Sequence, residues 1–319
     1  MAHPIRTLPD DGGAPGGSID GSRYGGIPAA AGRALRGFCA LILPTSCVGC
    51  GRHDTSLCRP CRRAFRRATV RPFRAEAGAG SLPLRDSDGP ESVTGAPPAA
   101  DDAGGGFEPL PVVAAGTYGG VVARVLLAFK NAGHTDLARP LAAALGGALL
   151  AARADLPAGP CLLVPVPTRG RSLRRRGYDP LGLLLDGLRR RGELPAGSLL
   201  ARPVRHRHPG VRLDGRPAGI PWIAPARQGG QKGLGRRGRQ ENVAGSMRVR
   251  RRYRGRLEGV QCFVVDDVLT TGATLAEVVR VLRAEGAAVA GAVVLAATPP
   301  PSGAELAYSE FRRNRRGEG

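Results

Sequence analysis

Residues 262–275, CFVVDDVLTTGATL, decide how the rest of the chain is interpreted. An apolar run, typical of a buried strand, ends in the adjacent aspartates Asp266 and Asp267, and a cluster of hydroxyl and glycine residues follows at once. Two like charges side by side cost stability unless a ligand uses both carboxylates. Because ligands of parallel sheets lie at the carboxyl ends of the strands, we expect residues 268–272 to form a binding loop and Ala273 to begin a helix.

The residues of this loop suit a phosphorylated sugar. Backbone amides around Gly272 and Ala273, with the hydroxyls of Thr270, Thr271 and Thr274, form a cradle for a phosphate at a helix start. The two carboxylates accept hydrogen bonds only, and the vicinal hydroxyls of a ribose offer two donors at a matching separation. A sugar 5-phosphate with free 2- and 3-hydroxyls therefore explains the whole stretch. The alternative is that one aspartate caps the helix beside ordinary turn threonines, although capping requires only one acid.

Strands and helices alternate from Pro109 onward. Apolar runs predict strands at 111–118, 161–167, 260–267 and 287–298, and helical spacing predicts helices at 119–133, 135–153, 178–191 and 273–286. This alternation predicts an α/β domain over residues 109–298 with a mostly parallel sheet flanked by helices. Residues 1–35 and 299–319 lack apolar periodicity and are expected to be disordered. Residues 69–108 are rich in Gly, Pro, Ser and Asp and are interpreted as a linker.

A short cysteine module occupies residues 36–68. Cys47, Cys50, Cys58 and Cys61 follow the pattern C-x₂-C-x₇-C-x₂-C, and four such thiolates can surround one Zn²⁺ tetrahedrally. The module is too small for a hydrophobic core, so we expect bound zinc to supply most of its folding energy. A redox pair is the alternative, but two pairs so close together rarely serve that role. The odd count of seven cysteines, with no export signal, favours a cytoplasmic protein.

Charge is distributed unevenly along the chain. Lys and Arg number 47 against 26 Asp and Glu, a net charge of +21, and residues 202–256 hold sixteen of the cations against two acids. Such a cluster would attract polyphosphates or nucleic acid, although the 4% of aromatic residues offers few platforms for base stacking. No Gly-Lys-Ser/Thr sequence is present, which excludes a P-loop. The apolar run at 141–152 is shorter than the ~20 residues that a spanning helix requires, so we expect no membrane insertion.

Residues 264–275, VVDDVLTTGATL, resemble the phosphoribosyl pyrophosphate (PRPP) signature of type I phosphoribosyltransferases. Within that group the chain is similar to the ComF branch, which is associated with competence for DNA uptake. The matching pieces are the cysteine module, the helix with Lys130, VPVP at 164–167 with Arg171, RRRGYDP at 174–180 and QKGLGRRGRQENVAG at 231–245. The resemblance implies a type I phosphoribosyltransferase fold with a small N-terminal zinc-binding module. It also implies PRPP as the ligand, carried with Mg²⁺ on its pyrophosphate.

The resemblance also assigns roles to residues outside the signature. It implies that the turn at Val166 binds pyrophosphate and that a mobile loop over residues 231–242 closes on the site. The nearby run Arg171, Arg174, Arg175 and Arg176 is expected to supply one or two phosphate ligands, with Arg171 as the selected candidate, or else to form a solvated helix edge. The cations of that loop would stabilise the leaving group, which makes the candidate catalytic residues Lys232, Arg236, Arg237 and Arg239. An ordinary strand exit at the turn and an exposed basic loop without a catalytic role are the open alternatives. The chain departs from the family in having Asp179 and Pro180 where an Asn-Gln pair is usual, and in an insertion at 209–230.

Two functions follow from these observations and stay open. The first is an enzyme, a pentosyltransferase that exchanges the pyrophosphate of PRPP for a nitrogen nucleophile, linked to DNA uptake and natural transformation or to nucleobase metabolism. The second is a non-catalytic factor with the same fold that handles single-stranded DNA together with DNA-uptake proteins. The sequence does not identify the accepting base.

Overall fold

A computed structural model describes residues 46–85, 108–157, 159–207 and 244–300. In these ranges one sheet has six strands in the order β1-β2-β8-β7-β3-β4, and β5 and β6 form a separate two-stranded ribbon. Every pair in the large sheet is parallel except β1 with β2. The strands are β1 Phe73–Arg74, β2 Val112–Thr117, β3 Cys161–Pro165, β4 Ser198–Leu200, β5 Val204–His206, β6 Met247–Val249, β7 Gln261–Leu269 and β8 Ala288–Ala297. The predicted α/β class with a mostly parallel sheet is confirmed.

Helices cover both faces of the sheet. They are α1 Arg59–Thr69, α2 Gly120–Asn131, α3 Ala138–Ala154, α4 Gly170–Arg176, α5 Pro180–Arg190 and α6 Ala273–Arg283, with 3-10 turns at Glu76–Gly78, Thr135–Leu137 and Arg251–Tyr253. On one face, α6 and the β5–β6 ribbon pack against the sheet. On the other face, α1, α2, α3 and α5 form the second core. The result is a three-layer arrangement with the sheet in the middle.

The alternation of side chains along β7 connects the two cores. Cys262 and Val264 face the α6 side, whereas Phe263 and Val265 face the α3 side. All four are buried, which is why the strand has the continuous apolar run expected of a strand covered on both faces.

The helix predicted over residues 135–153 is present, and it extends beyond its apolar run at 141–152. The 3-10 turn Thr135–Leu137 leads directly into α3, and together they span the 20 residues Thr135–Ala154. Among the described residues this is the one helix whose length and composition would allow it to cross a membrane, but half of its most apolar window is buried inside the fold. Leu141, Leu145 and Leu149 are all buried in the core, as expected for a helix packed on a sheet.

Part of the segment interpreted as a linker is built into the sheet. Strand β1 pairs antiparallel with β2, so that Phe73 lies opposite Ala114. The 3-10 turn that follows is held by Glu76, a buried carboxylate that accepts hydrogen bonds from the backbone N–H of Val112 at 2.7 Å and from the Arg74 guanidinium at 2.6 Å. Sequence periodicity cannot detect this element, because residues distant in the chain hold it in place.

Candidate active site

The two aspartates lie inside β7 and not at its end. The strand continues to Leu269, because Val268 and Leu269 pair with Ala296 and Ala297 of β8. The predicted loop is therefore shorter than residues 268–272, and α6 begins at Ala273 as expected. The backbone N–H of Asp267 donates to the Asp266 carboxylate at 2.8 Å, which fixes the first carboxylate relative to the strand.

The charges of the aspartate pair are partly balanced by Lys130. Its ammonium lies 2.7 Å from the carboxylate of Asp267, and the two side chains are 21% and 25% exposed. The pKa of Asp266 is raised to about 8, first by burial and then by the negative charge of Asp267, although the Asp267 N–H and Lys130 oppose the rise. Because its pKa is raised, the Asp266 carboxyl is largely protonated at neutral pH and can both donate and accept hydrogen bonds.

The loop after β7 has the geometry of an anion site at a helix start. Gly272 is buried and has a φ of +85°, a left-handed conformation that favours glycine. The backbone N–H of Ala273 donates to the Thr271 hydroxyl at 3.4 Å. Thr270 and Thr274 line the adjacent cavity. The helix is 11 residues long, so its first turn carries backbone donors and a favourable dipole for a phosphate.

A cavity of about 480 Å³ joins these groups to the turns after β2 and β3. The predicted site residues among its lining are Val166, Asp266, Asp267, Thr270 and Thr274, and the predicted residues Arg171, Thr271, Gly272 and Ala273 are not among them. The lining also includes Tyr118, Lys130, Thr168, Arg169, Ser172 and Arg176. Of these, only Arg176 belongs to the arginine run that the sequence analysis considered for phosphate binding. The volume falls within the range of small-molecule sites.

The arginines that reach the cavity differ from the one selected by motif. Arg171 is exposed on α4, while Arg169, Ser172 and Arg176 line the cavity. Ser172 and Arg176 are four residues apart and share one face of α4, and Arg169 directly precedes the helix. That spacing is the signal that could have identified Ser172 and Arg176.

The turn after β3 offers fewer backbone donors than expected. The N–H of Val166 donates to the carbonyl of Val265 at 2.8 Å, so it is used within the sheet. Pro165 and Pro167 have no N–H at all. Val166 therefore contributes surface to the cavity, and the backbone donors that this turn can offer belong to Thr168 and Arg169.

Asp179, where the family resemblance expects an amide, has a structural partner. Its carboxylate accepts a hydrogen bond from the hydroxyl of Thr168 at 2.7 Å, and Pro180 occupies the first position of α5. The neighbouring Tyr178 hydroxyl donates to the carbonyl of Phe129, and the two rings make an edge contact at 6.0 Å. Asp179 thus stabilises the turn after β3 through Thr168, and Tyr178 contacts α2, the helix that carries Lys130.

The predicted catalytic residues Lys232, Arg236, Arg237 and Arg239 lie outside the described residues. The ribbon strands that precede and follow them are well anchored. The buried carboxylate of Glu277 on α6 accepts a hydrogen bond from the N–H of Met247 at 3.0 Å. The His206 ring nitrogen lies 2.9 Å from the carbonyl of Pro167, in the β3 turn.

The four cysteines form a compact cluster away from the cavity. The Sγ atoms of Cys47, Cys50, Cys58 and Cys61 all lie within 4.8 Å of one another, and Cys50 and Cys58 are 3.6 Å apart. A tetrahedral zinc with Zn–S bonds of about 2.3 Å sets sulfur atoms roughly 3.8 Å apart. A Cβ on Gly49 would lie 2.6 Å from the Cys61 sulfur, so glycine leaves space for that thiolate. The donor set therefore fits a zinc ion.

One thiolate of this cluster is stabilised by the backbone. Burial alone would raise the pKa of Cys47, yet N–H groups of Cys58, Gly49 and Cys50 lower it to about 6. The N–H of Cys58 lies 3.4 Å from the Cys47 sulfur. Because a metal binds the thiolate and not the thiol, these donors favour the metal-binding form.

Comparison with known proteins gives one match to a family model. The phosphoribosyl transferase domain matches residues 227–311, a range that includes both aspartates, the threonine loop and most of the basic segment. No curated protein matches the chain. A solved structure, adenine phosphoribosyltransferase from Leishmania donovani, is similar at 16% identity over 59% of this chain, with a TM-score of 0.26.

The chain covers 61% of that solved structure, and a likeness this slight carries no argument. Residues 227–311 match the phosphoribosyl transferase domain, and the described residues form a mixed α/β fold with a mostly parallel sheet. An N-terminal cluster of four cysteines accompanies it.

Proposed function

We propose that this protein binds PRPP with Mg²⁺ and transfers its phosphoribosyl group to a nitrogen nucleophile. The observation that carries the proposal is the meeting of two kinds of group on one cavity. The carboxyls of Asp266 and Asp267 and the hydroxyls of Thr270 and Thr274 line the same space of about 480 Å³. Carboxyls suit a ribose diol, and a hydroxyl loop at a helix start suits its 5-phosphate.

The charges around the cavity are consistent with this assignment. Arg169 and Arg176, which follow β3 in the chain, also line the cavity, where a pyrophosphate would find bidentate guanidinium donors. Mg²⁺ would be carried by the pyrophosphate and its waters, as this ion seldom binds in an all-protein cage. Lys130 holds Asp267 in position at 2.7 Å and keeps the paired carboxyls in the cavity.

The proposed reaction is a substitution at the anomeric carbon. The bond from this carbon to the pyrophosphate oxygen breaks, and its electron pair leaves with pyrophosphate. The lone pair of the nucleophile forms the new C–N bond, and the nitrogen then loses its proton. Negative charge grows on the leaving group, and the cations Lys232, Arg236, Arg237 and Arg239 are proposed to stabilise it together with Arg169.

A screen for pyrophosphate release tests the enzyme directly. Purified protein, PRPP and Mg²⁺ are combined with individual nucleobases and nucleosides, and pyrophosphate is measured over time. We expect release to depend on one class of acceptor and to disappear when Arg236 and Arg237 are replaced by Gln. No acceptor-dependent release from any base, with PRPP still bound, would exclude turnover with these acceptors and favour a binding role.

The finer assignment that we propose is a ComF-type protein, cytoplasmic and with zinc in its cysteine cluster, linked to DNA uptake or to nucleobase metabolism.

A second candidate function, the handling of single-stranded DNA, is favoured by one feature of the ribbon. Arg205 of β5 lies directly opposite Arg248 of β6, and the field of Arg205 is the main cause that lowers the pKa of Arg248. Like charges in direct cross-strand pairs are destabilising, and a polyanion would relieve that repulsion.

The buried Nε atoms of Arg205 and Arg248 have no hydrogen-bond partner among the described residues. The two side chains are partly exposed, so the other N–H groups of their guanidiniums can donate to phosphate oxygens. If the ribbon binds a single strand, replacing both arginines with Gln should reduce the slope of log affinity against log salt by about 1.4, because each phosphate contact contributes roughly 0.7. An unchanged slope would remove the ribbon from any DNA interface.

A further inference from the structure

The loop from Thr270 to Thr274, here called the phosphate loop, is covered by a segment that belongs to no helix or strand of the sheet. Residues 79–85, here called the strap, follow β1 and the 3-10 turn Glu76–Gly78. The strap is fixed at its far end, where the N–H of Arg85 donates to the carbonyl of Glu108 and the N–H of Leu110 donates to Pro83, both at 2.8 Å. The buried Glu76 fixes the near end through its bond to Val112.

The middle of the strap touches the loop at two points. The N–H of Ser81 donates to the carbonyl of Thr271 at 2.9 Å. The side chain of Leu82 lies directly over Gly272, where an added Cβ would be 2.8 Å from the Leu82 Cδ2 and 3.1 Å from its Cγ. Leu82 is partly buried and packs against the core on the α6 side. Helix α6 adds a third link, because Arg283 donates to the carbonyl of Leu84 at 2.8 Å.

We propose that Leu82, with the backbone of Ser81, is a positioning element that holds the loop from Thr270 to Thr274 in its phosphate-binding conformation. The proposal rests on the proposed function, because it takes this loop as the phosphate site. Glycine at a φ of +85° has many other accessible conformations. For a ligand that binds only one of these conformations, the apparent affinity is the intrinsic affinity multiplied by the fraction of time that the loop spends in that conformation.

The chain runs from the cysteine module to the strap through α1 and β1. Helix α1 begins beside Cys58 and ends at Thr69, and it packs closely on β2, since a Cβ on Gly116 would lie 2.7 Å from the carbonyl of Ala68. The chain then forms β1 and the strap. The segment that follows the cysteine cluster therefore ends on the back of the phosphate loop.

The test compares two leucines of the strap. Leu82→Ala removes the side chain that covers Gly272, whereas Leu84→Ala removes a side chain that is 46% exposed. We expect Leu82→Ala to weaken the binding of PRPP with Mg²⁺ roughly tenfold in calorimetry, as when a loop is competent about a tenth of the time. Leu84→Ala should bind like wild type. Leu82→Met, which keeps the side-chain volume, should restore most of the affinity.

Hydrogen exchange gives a second readout that needs no ligand. Amides of residues 270–276 should exchange faster in Leu82→Ala than in Leu84→Ala, while amides of β8 exchange equally in both. Equal exchange at residues 270–276, or equal PRPP affinity in both variants, would overturn the positioning role. If wild type binds no PRPP, the proposed function fails, and the exchange comparison still decides whether the strap orders the loop.

A double substitution tests the contact itself. Gly272→Ala introduces both backbone strain and a clash with Leu82. Adding Leu82→Ala should therefore recover thermal stability in the Gly272→Ala background, although it lowers stability in the wild-type background. Additive losses in the cycle would contradict the contact.

Discussion

Replacing Asp266 with asparagine should stabilise the ligand-free protein, and the gain should grow with pH. The pKa of Asp266 is raised from an ordinary 3.8 to about 8, because the carboxyl is partly buried and lies beside the charge of Asp267. Between these two values the folded state holds a proton that the unfolded state releases. Folding then binds a proton, so this group makes stability fall as pH rises from about 4 to about 8, with no further change above.

The size of the effect follows from the same values. Each tenfold difference in proton affinity corresponds to about 1.4 kcal/mol, so the interval from 3.8 to about 8 sets an upper bound of roughly 6 kcal/mol. The carboxyl faces an open cavity and is close to Lys130, and both reduce the penalty. We therefore expect Asp266→Asn, which imitates the protonated carboxyl, to add about 2–3 kcal/mol at about pH 9 and much less at about pH 5.

Urea denaturation of wild type and variant at the two pH values measures this difference. The matched control is Asp267→Asn, which breaks the 2.7 Å ion pair with Lys130 and should give no gain at about pH 9. A destabilised Asp266→Asn, or a change of equal size at both pH values, would refute the inference that burial and Asp267 keep this carboxyl protonated.

Two further substitutions test the cysteine cluster and the base of the ribbon. Gly49→Ala places a methyl group against the Cys61 sulfur and should weaken zinc retention roughly tenfold in competition with a chelator. The control Gly80→Ala, whose added Cβ meets nothing within 4 Å, should retain zinc like wild type. Equal zinc retention in the two variants would exclude the proposed site. Glu277→Ala leaves the N–H of Met247 without its buried acceptor and should lower the free energy of unfolding by about 2–4 kcal/mol. Glu277→Gln keeps an acceptor and should lose less stability. Equal losses in urea denaturation would contradict a role for this hydrogen bond.

Periodicity predicted the elements whose stability comes from their own apolar pattern. Strand β7, helix α6 and strand β8 were all expected, because their buried residues recur at the spacing of a strand or a helix. Helix α2 was also expected, and its buried residues Val122, Val125, Leu126 and Phe129 recur at helical spacing.

The elements that the sequence did not predict depend on distant contacts. Strand β1 and the strap have no apolar period, and partners such as Val112, 36 residues beyond Glu76, hold them. Helix α4 has no buried residue, so no hydrophobic pattern could mark it. Arg171 was selected from the arginine run at 171–176, whereas Arg176 of that run and the preceding Arg169 line the cavity. Lys130 was noted only as part of a helix, because its ion pair with Asp267 joins two parts of the chain that only the fold brings together.

Calorimetry with PRPP tests the central claim most directly. PRPP with Mg²⁺ should bind wild type at a single site and should not bind the double variant Asp266→Asn with Asp267→Asn, whose thermal unfolding should show an intact fold. Asp155→Asn, which removes a carboxylate that is 65% exposed, should bind like wild type. Unchanged PRPP affinity in the double variant would contradict the assignment of the aspartate pair to the ribose.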